Sequence, residues 1–244
     1  MNALTRSFSA YWNSSIGKKL IVAVTGIVLV LFLLGHMSGN LLVFAGREAF
    51  NDYAQFLHHA LHGAGIWIAR IGLLTALVLH VVATISLTRR NKAARQSYEY
   101  NATIQASKSS RIMIWTGLTI LFFVIYHLLH FTVHAGNTYE TYIDQAYQMS
   151  TQSRYNPNGE IRHDAWKMVI DGFSVWYVAI FYVIAVSILC SHLGHGVASI
   201  FQTLGFNSKK ARPLIEQFSW AYAAVIWLGF VSIPIAILIF KFGR

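Results

Sequence analysis

Cysteine is all but missing from this chain: Cys190, inside an apolar run, stands alone. One thiol makes no intrachain disulfide, no cysteine-ligated zinc site and no iron–sulfur cluster. With no C-x-x-C-H segment, covalent attachment of a c-type haem is excluded as well. Only three prolines interrupt the 244 residues, and charge is scarce. Charged residues make up 11%, where a soluble domain carries about a quarter. Nine acidic side chains face nineteen Lys and Arg, leaving a formal charge of +10. A nucleic-acid reading of that excess needs a basic face on a soluble fold. Here the bases flank apolar runs, where membrane topology places them. Nucleic acid is therefore not an expected partner, whereas lipid is.

What is there is hydrophobic length. Hydrophobic residues are 55% of the chain, and a spanning helix needs about 20 mostly apolar residues. Five segments qualify, at about 20–44, 66–88, 112–133, 173–201 and 218–240. None alternates with the period of a membrane barrel strand. The fold class expected is an all-α integral membrane protein, one domain over 1–244, with the first four of five transmembrane helices forming a bundle. The first apolar run follows Arg6, Lys18 and Lys19, as in a signal peptide. It is too long for a signal core and lacks a small-residue cleavage site, so a retained helix is expected.

Orientation follows from the bases. With the N-terminus inside, inner segments hold Arg6, Lys18, Lys19, Arg89, Arg90, Lys92, Arg95, Lys108, Arg111, Lys209, Lys210 and Arg212. Outer segments hold Arg47, Arg70, Arg154, Arg162, Lys167, Lys241 and Arg244. The larger inner set predicts a cytoplasmic N-terminus and an outside C-terminus in the cell inner membrane. Between the first two spans, Phe50, Tyr53, Phe56, Leu57 and Leu61 recur at helical spacing, predicting an amphipathic interfacial helix over Ala49–His62. The outer loop of about 135–172 is long and polar, with a turn at Asn156-Pro157-Asn158-Gly159.

Histidine is the unusual abundance, eleven in all. Ionisable side chains at membrane depth are costly and point to function. At about 1.5 Å per residue, His36 lies about 25 Å beyond Lys19 and His127 about 24 Å beyond Arg111. His80 lies about 13 Å before Arg89, and His192 about 15 Å before Gln202. Four histidines thus fall at two levels, two per level, each level drawing on two helices. That is the arrangement of two bis-histidine haems inside a helix bundle. The first and third spans also share a motif: Thr25-Gly26 precedes His36 as Thr116-Gly117 precedes His127, with nine residues between. Gly35, Gly39, Gly194 and Gly196 sit beside the histidines and would let a flat macrocycle approach. His130 follows His127 by three residues, as His195 follows His192, so spacing alone does not choose within either pair. His58, His59, His62, His134 and His163 read as interfacial or solvated.

Several runs resemble the cytochrome b subunit of succinate:quinone oxidoreductases, specifically the single-chain, five-helix, dihaem b558 branch. They are Ser14-Ser15-Ile16-Gly17-Lys18-Lys19, Gly35 to Leu42, Ala49 to Leu57, and His192-Leu193-Gly194-His195-Gly196-Val197-Ala198-Ser199. The likeness covers nearly the whole chain and is weakest over about 135–170. It implies haem iron ligands His36 and His127 for an outer haem b, and His80 and His192 for an inner one. It further implies partnership with a flavoprotein subunit, which holds the dicarboxylate site, and an iron–sulfur subunit. Together these form respiratory succinate dehydrogenase, passing electrons from the tricarboxylic acid cycle to a quinone, expected to be menaquinone. Candidate quinone-site residues are Ser15, Lys18 and Lys19 on the inner side and Glu48 and His58 on the outer. Alternatives are a b-type cytochrome of another membrane dehydrogenase or hydrogenase, whose histidines fall at other spacings, and a proton-coupled transporter with a histidine relay.

Overall fold

Apolar runs of this length, nearly free of proline, have one way to satisfy their backbone in lipid, and that is helix. The computed structural model describes residues 2, 10–94, 108–152, 154 and 157–244. Arg6, Arg95 and Asn156, which enter the readings above, lie outside them. The described chain runs α1 (Ser15–Leu41), α2 (Arg47–His59), α3 (Ala64–Ala93), α4 (Lys108–Phe131), α5 (Gln145–Thr151), α6 (Ala165–Ser174), α7 (Trp176–Thr203) and α8 (Ala211–Leu238). Among the described residues no strand forms; a single bridge joins Ile143 to His163. Five helices are long and apolar enough to cross a membrane: α1 with its 3-10 extension to Ala45, α3, Arg111–Phe131 of α4, α7 and α8. The chain is a multi-pass membrane protein.

Boundaries differ from expectation where polar groups intervene. The fourth span starts at Trp176, and Phe173 belongs to the separate helix α6, because the backbone is extended at Val175. Arg244 binds both the carbonyl and the hydroxyl of Ser174 there. The last span begins at Ala211, seven residues early, where the Ser208 hydroxyl accepts the Ala211 N–H. The amphipathic helix is α2, ending at His59 rather than His62, since Leu61 and His62 turn through positive φ.

Contacts divide the chain into two units. The first comprises Met1–Leu34, Arg70–Thr119 and Ile188–Ile226; the second comprises Gly35–Ala69, Ile120–Ser187 and Trp227–Arg244. Within the first, small buried residues (Ala23, Ala83, Ala223) let helices approach. The Trp220 ring lies against Gly194, and the Tyr222 hydroxyl donates to the Val30 carbonyl at 2.6 Å.

The second unit has a larger apolar core, with Val43, Phe50, Val169, Ile170, Phe173, Tyr182, Ile233 and Ile237 buried together. Its long loop is folded over α2. Asn51 is fully buried, donates to Asp144 at 2.9 Å and Asp164 at 3.1 Å, and accepts the Trp166 N–H at 2.9 Å. Both aspartates also cap helices, Asp144 that of α5 and Asp164 that of α6. Arg162, also buried, donates to Asp144 at 2.7 Å and Glu48 at 2.9 Å, reaches Asp52, and stacks on the Tyr147 ring at 3.9 Å. Burial alone would raise the Asp144 pKa. Hydrogen bonds from Asn51, Arg162 and the Tyr147 N–H, with the Arg162 charge, outweigh it and hold that carboxyl below its usual value.

Candidate functional site

The four sequence-selected histidines separate by unit. His80 on α3 and His192 on α7 belong to the first; His36 on α1 and His127 on α4 belong to the second. All four rings are half-buried.

In the first unit the two rings are held the same way. The Thr25 hydroxyl lies 3.1 Å from His80 Nδ1, and the Thr116 hydroxyl 3.1 Å from His192 Nδ1. A hydroxyl has one proton to give. Thr25 gives its proton to the Ile21 carbonyl at 2.7 Å, and Thr116 to the Met113 carbonyl at 3.0 Å. With the hydroxyl protons on those carbonyls, each oxygen accepts an Nδ1–H from its imidazole. In that arrangement Nε2 is unprotonated, the form that binds a metal. The glycine after each threonine faces the same ring. A Cβ on Gly26 would meet Ile200 Cδ1 at 3.2 Å and His80 Cε1 at 3.6 Å, and one on Gly117 would meet His192 Cε1 at 3.4 Å. Among the described residues only the His192 ring lies within 4 Å of a Cβ placed on Gly117. Protein packing does not demand a glycine at that position.

The Thr-Gly motif thus serves the histidine of a neighbouring helix, not the one nine residues along its own. The spacing marked the motif; its partner had no local signal. The glycines flanking the histidines divide too. Gly39 is filled by Tyr53 and Gly194 by Trp220, so these two serve packing, while Gly35 and Gly196 border open space.

In the second unit His36 and His127 meet edge to face with ring centroids 5.7 Å apart. A metal shared by two imidazoles, bonded at about 2 Å to each, needs centroids roughly 6 Å apart. Aromatic rings surround the pair: Phe230 at 5.8 Å from His36, and Phe123 and Tyr182 at 6.0 Å from His127. His127 Nδ1 lies 3.4 Å from the Tyr182 hydroxyl, which also sits 3.1 Å from His130 Nδ1. Tyr182 carried no sequence signal, being one aromatic in an apolar run. His195, the other ambiguous histidine, is half-buried in the first unit.

The candidate quinone residues fall into different units. Ser15, Lys18 and Lys19 lie in the first, Ser15 and Lys19 exposed and Lys18 buried with its ammonium 5.8 Å from the Trp12 ring. Glu48 and His58 lie in the second, and Glu48 is bound by Arg162. No protein-family model, curated protein or solved structure matches the chain.

Proposed function

We propose that the chain is the membrane-embedded dihaem cytochrome b subunit of a succinate:quinone oxidoreductase. The observation that carries this reading is the repeated Thr-Gly cradle. Two hydroxyls with committed protons turn two histidines into Nε2 ligands, and each carries an adjoining glycine. Two imidazoles held to one haem iron would leave it no open position, which would suit electron transfer rather than oxygen chemistry. The donor set therefore fits a b haem in each unit, held by His80 and His192 in the first and by His36 and His127 in the second. When bound, such haems supply one-electron transfer between an iron–sulfur donor and a quinone, menaquinone in this reading.

The chain's own residues do the rest. Thr25 and Thr116 orient the first-unit rings, and Tyr182 orients His127. Gly26 and Gly117 keep the ring faces clear, and the aromatic shell around His36 and His127 excludes water. Basic inner segments, including Arg89, Arg90 and Lys209 to Arg212, would face the flavoprotein and iron–sulfur subunits at the cytoplasmic side.

The test is haem content per chain, by pyridine haemochrome, on the purified membrane protein and on His36→Ala and His192→Ala. Two b haems in the parent and one in each variant are expected. A parent without haem overturns the reading and makes a histidine-relay transporter the better account.

A further inference from the structure

The second unit holds one histidine the ligand pairs do not use. His130 shares a helix face with His127, and both present Nδ1 to the single hydroxyl of Tyr182, at 3.1 and 3.4 Å. That hydroxyl can donate to only one of them. If His127 offers Nε2 to an iron, its Nδ1 carries the proton and donates to the Tyr182 oxygen. The Tyr182 proton then goes to His130 Nδ1, and neutral His130 keeps its own proton on Nε2. Nothing among the described residues bonds that Nε2.

The ring sits one residue before the end of α4, half-buried among flat neighbours. Phe131 lies at 4.0 Å, Tyr126 at 5.6 Å and Tyr139 at 5.7 Å between centroids. Tyr126 and Leu129 are exposed beside it. The surroundings thus combine one fixed N–H donor, an aromatic wall and an apolar approach at the end of a membrane-spanning helix. One placed donor beside aromatic and apolar side chains suits a small flat ligand.

We infer that His130, backed by Tyr182, is the hydrogen-bond donor of a quinone headgroup site on the second unit, its Nε2–H directed to a quinone carbonyl. This rests on the proposed reading of His127 as a haem ligand. It places the headgroup at none of Glu48, His58, Ser15, Lys18 or Lys19. In the quinol-oxidising direction two O–H bonds break and two ring carbonyls form. The two electrons reduce two ferric haems, and two protons leave to water. Quinone reduction is the reverse.

The experiment uses the purified holoprotein, His130→Leu and His130→Gln, with 2,3-dimethyl-1,4-naphthoquinone as ligand and its quinol as reductant. Haem content is measured first. Each variant should keep two haems and the parent's dithionite-reduced spectrum. His130→Leu should bind the naphthoquinone about tenfold more weakly or worse, the loss of one hydrogen bond that leaves a partner unmet, and its haems should be reduced correspondingly slowly by the quinol. Glutamine, which keeps an N–H, should recover part of both. Parent-like affinity and rate in His130→Leu, with two haems present, overturn the inference and leave the proposed function standing. A haem-free parent overturns the proposed function instead. Photolabelling the unmutated protein with an azido-naphthoquinone covers the case of a variant that fails to fold. Label within residues 126–139 supports the site, and label confined elsewhere overturns it.

Discussion

In the first unit each candidate ligand ring rests on a threonine hydroxyl that also reaches a carbonyl of its own helix, so each histidine has its own hydroxyl behind it. In the second, His127 has a phenol it shares with His130, a partner that can accept on one side and donate on the other. The supporting shells differ as much. The first unit is built from small residues and helix contacts, whereas the second carries a folded polar loop held by buried Asn51, Asp144, Asp164 and Arg162. Two pairs of the same ligand type thus sit in two chemistries, one closed and one open to relay. Partners behind a ligand tune what it binds, so groups held by the two pairs should differ in potential and in stability.

The largest expected effect tests the loop. Arg162→Met leaves Asp144 buried without its cation, and breaking such a pair costs about 3–5 kcal/mol. With haems held as proposed, heating should then release the second-unit haem well before the first, followed by the visible spectrum of each. Simultaneous loss would mean that the units melt as one block, and the comparison would break. Next comes Gly117→Ala. The bare protein has room for that methyl, its nearest neighbour being His192 Cε1 at 3.4 Å. The variant should therefore fold with unchanged helicity by circular dichroism and lose the first-unit haem alone. Retention of both haems would assign Gly117 to no ligand. Smaller again is Thr116→Val, which removes the acceptor behind His192. Outer-shell losses of this kind cost about 10–100-fold in metal affinity. Thr116→Ser should restore the parent value, and Tyr182→Phe should leave the first-unit haem unchanged.

How much of this was legible beforehand depends on how far apart the interacting residues lie. The five spans and the amphipathic α2 follow from hydropathy and periodicity, which are local. The division of His36 with His127 and His80 with His192 followed from counting rise per residue, and the units separate them in the same way. Thr25 and Thr116 were visible as a repeat, yet their partners lie 55 and 76 residues away on other helices. The loop was the least legible part. Asn51 and Asp164 are 113 positions apart, and a polar residue destined for a buried network looks, in sequence, like any solvated one. Only its burial with every polar group satisfied marks it, and burial is a property of the fold.

The smallest expected effect concerns acid and the loop of the second unit. His163 bridges to Ile143, and its Nε2 is buried with no hydrogen-bond partner among the described residues. Burial, then the charge of His134, lowers its pKa, while a hydrogen bond with the Tyr142 backbone pulls the other way. A histidine whose folded pKa lies below its unfolded value favours folding while neutral. Its contribution is present above the usual histidine range. It falls as pH drops from about 6.5 toward the lowered value, because the unfolded chain takes up the proton first. Asp144, with its pKa held down, keeps its contribution through that window and loses it only below the usual carboxylate range. Amide protection factors across residues 139–174, each taken against the intrinsic exchange rate at that pH, should therefore fall modestly between pH 7 and pH 5. His163→Asn should flatten that slope, whereas Asp144→Asn should lower protection at every pH in the window and leave the slope in place. A slope that survives in His163→Asn would move the titration to another group and remove acid sensitivity from the differences between the two units.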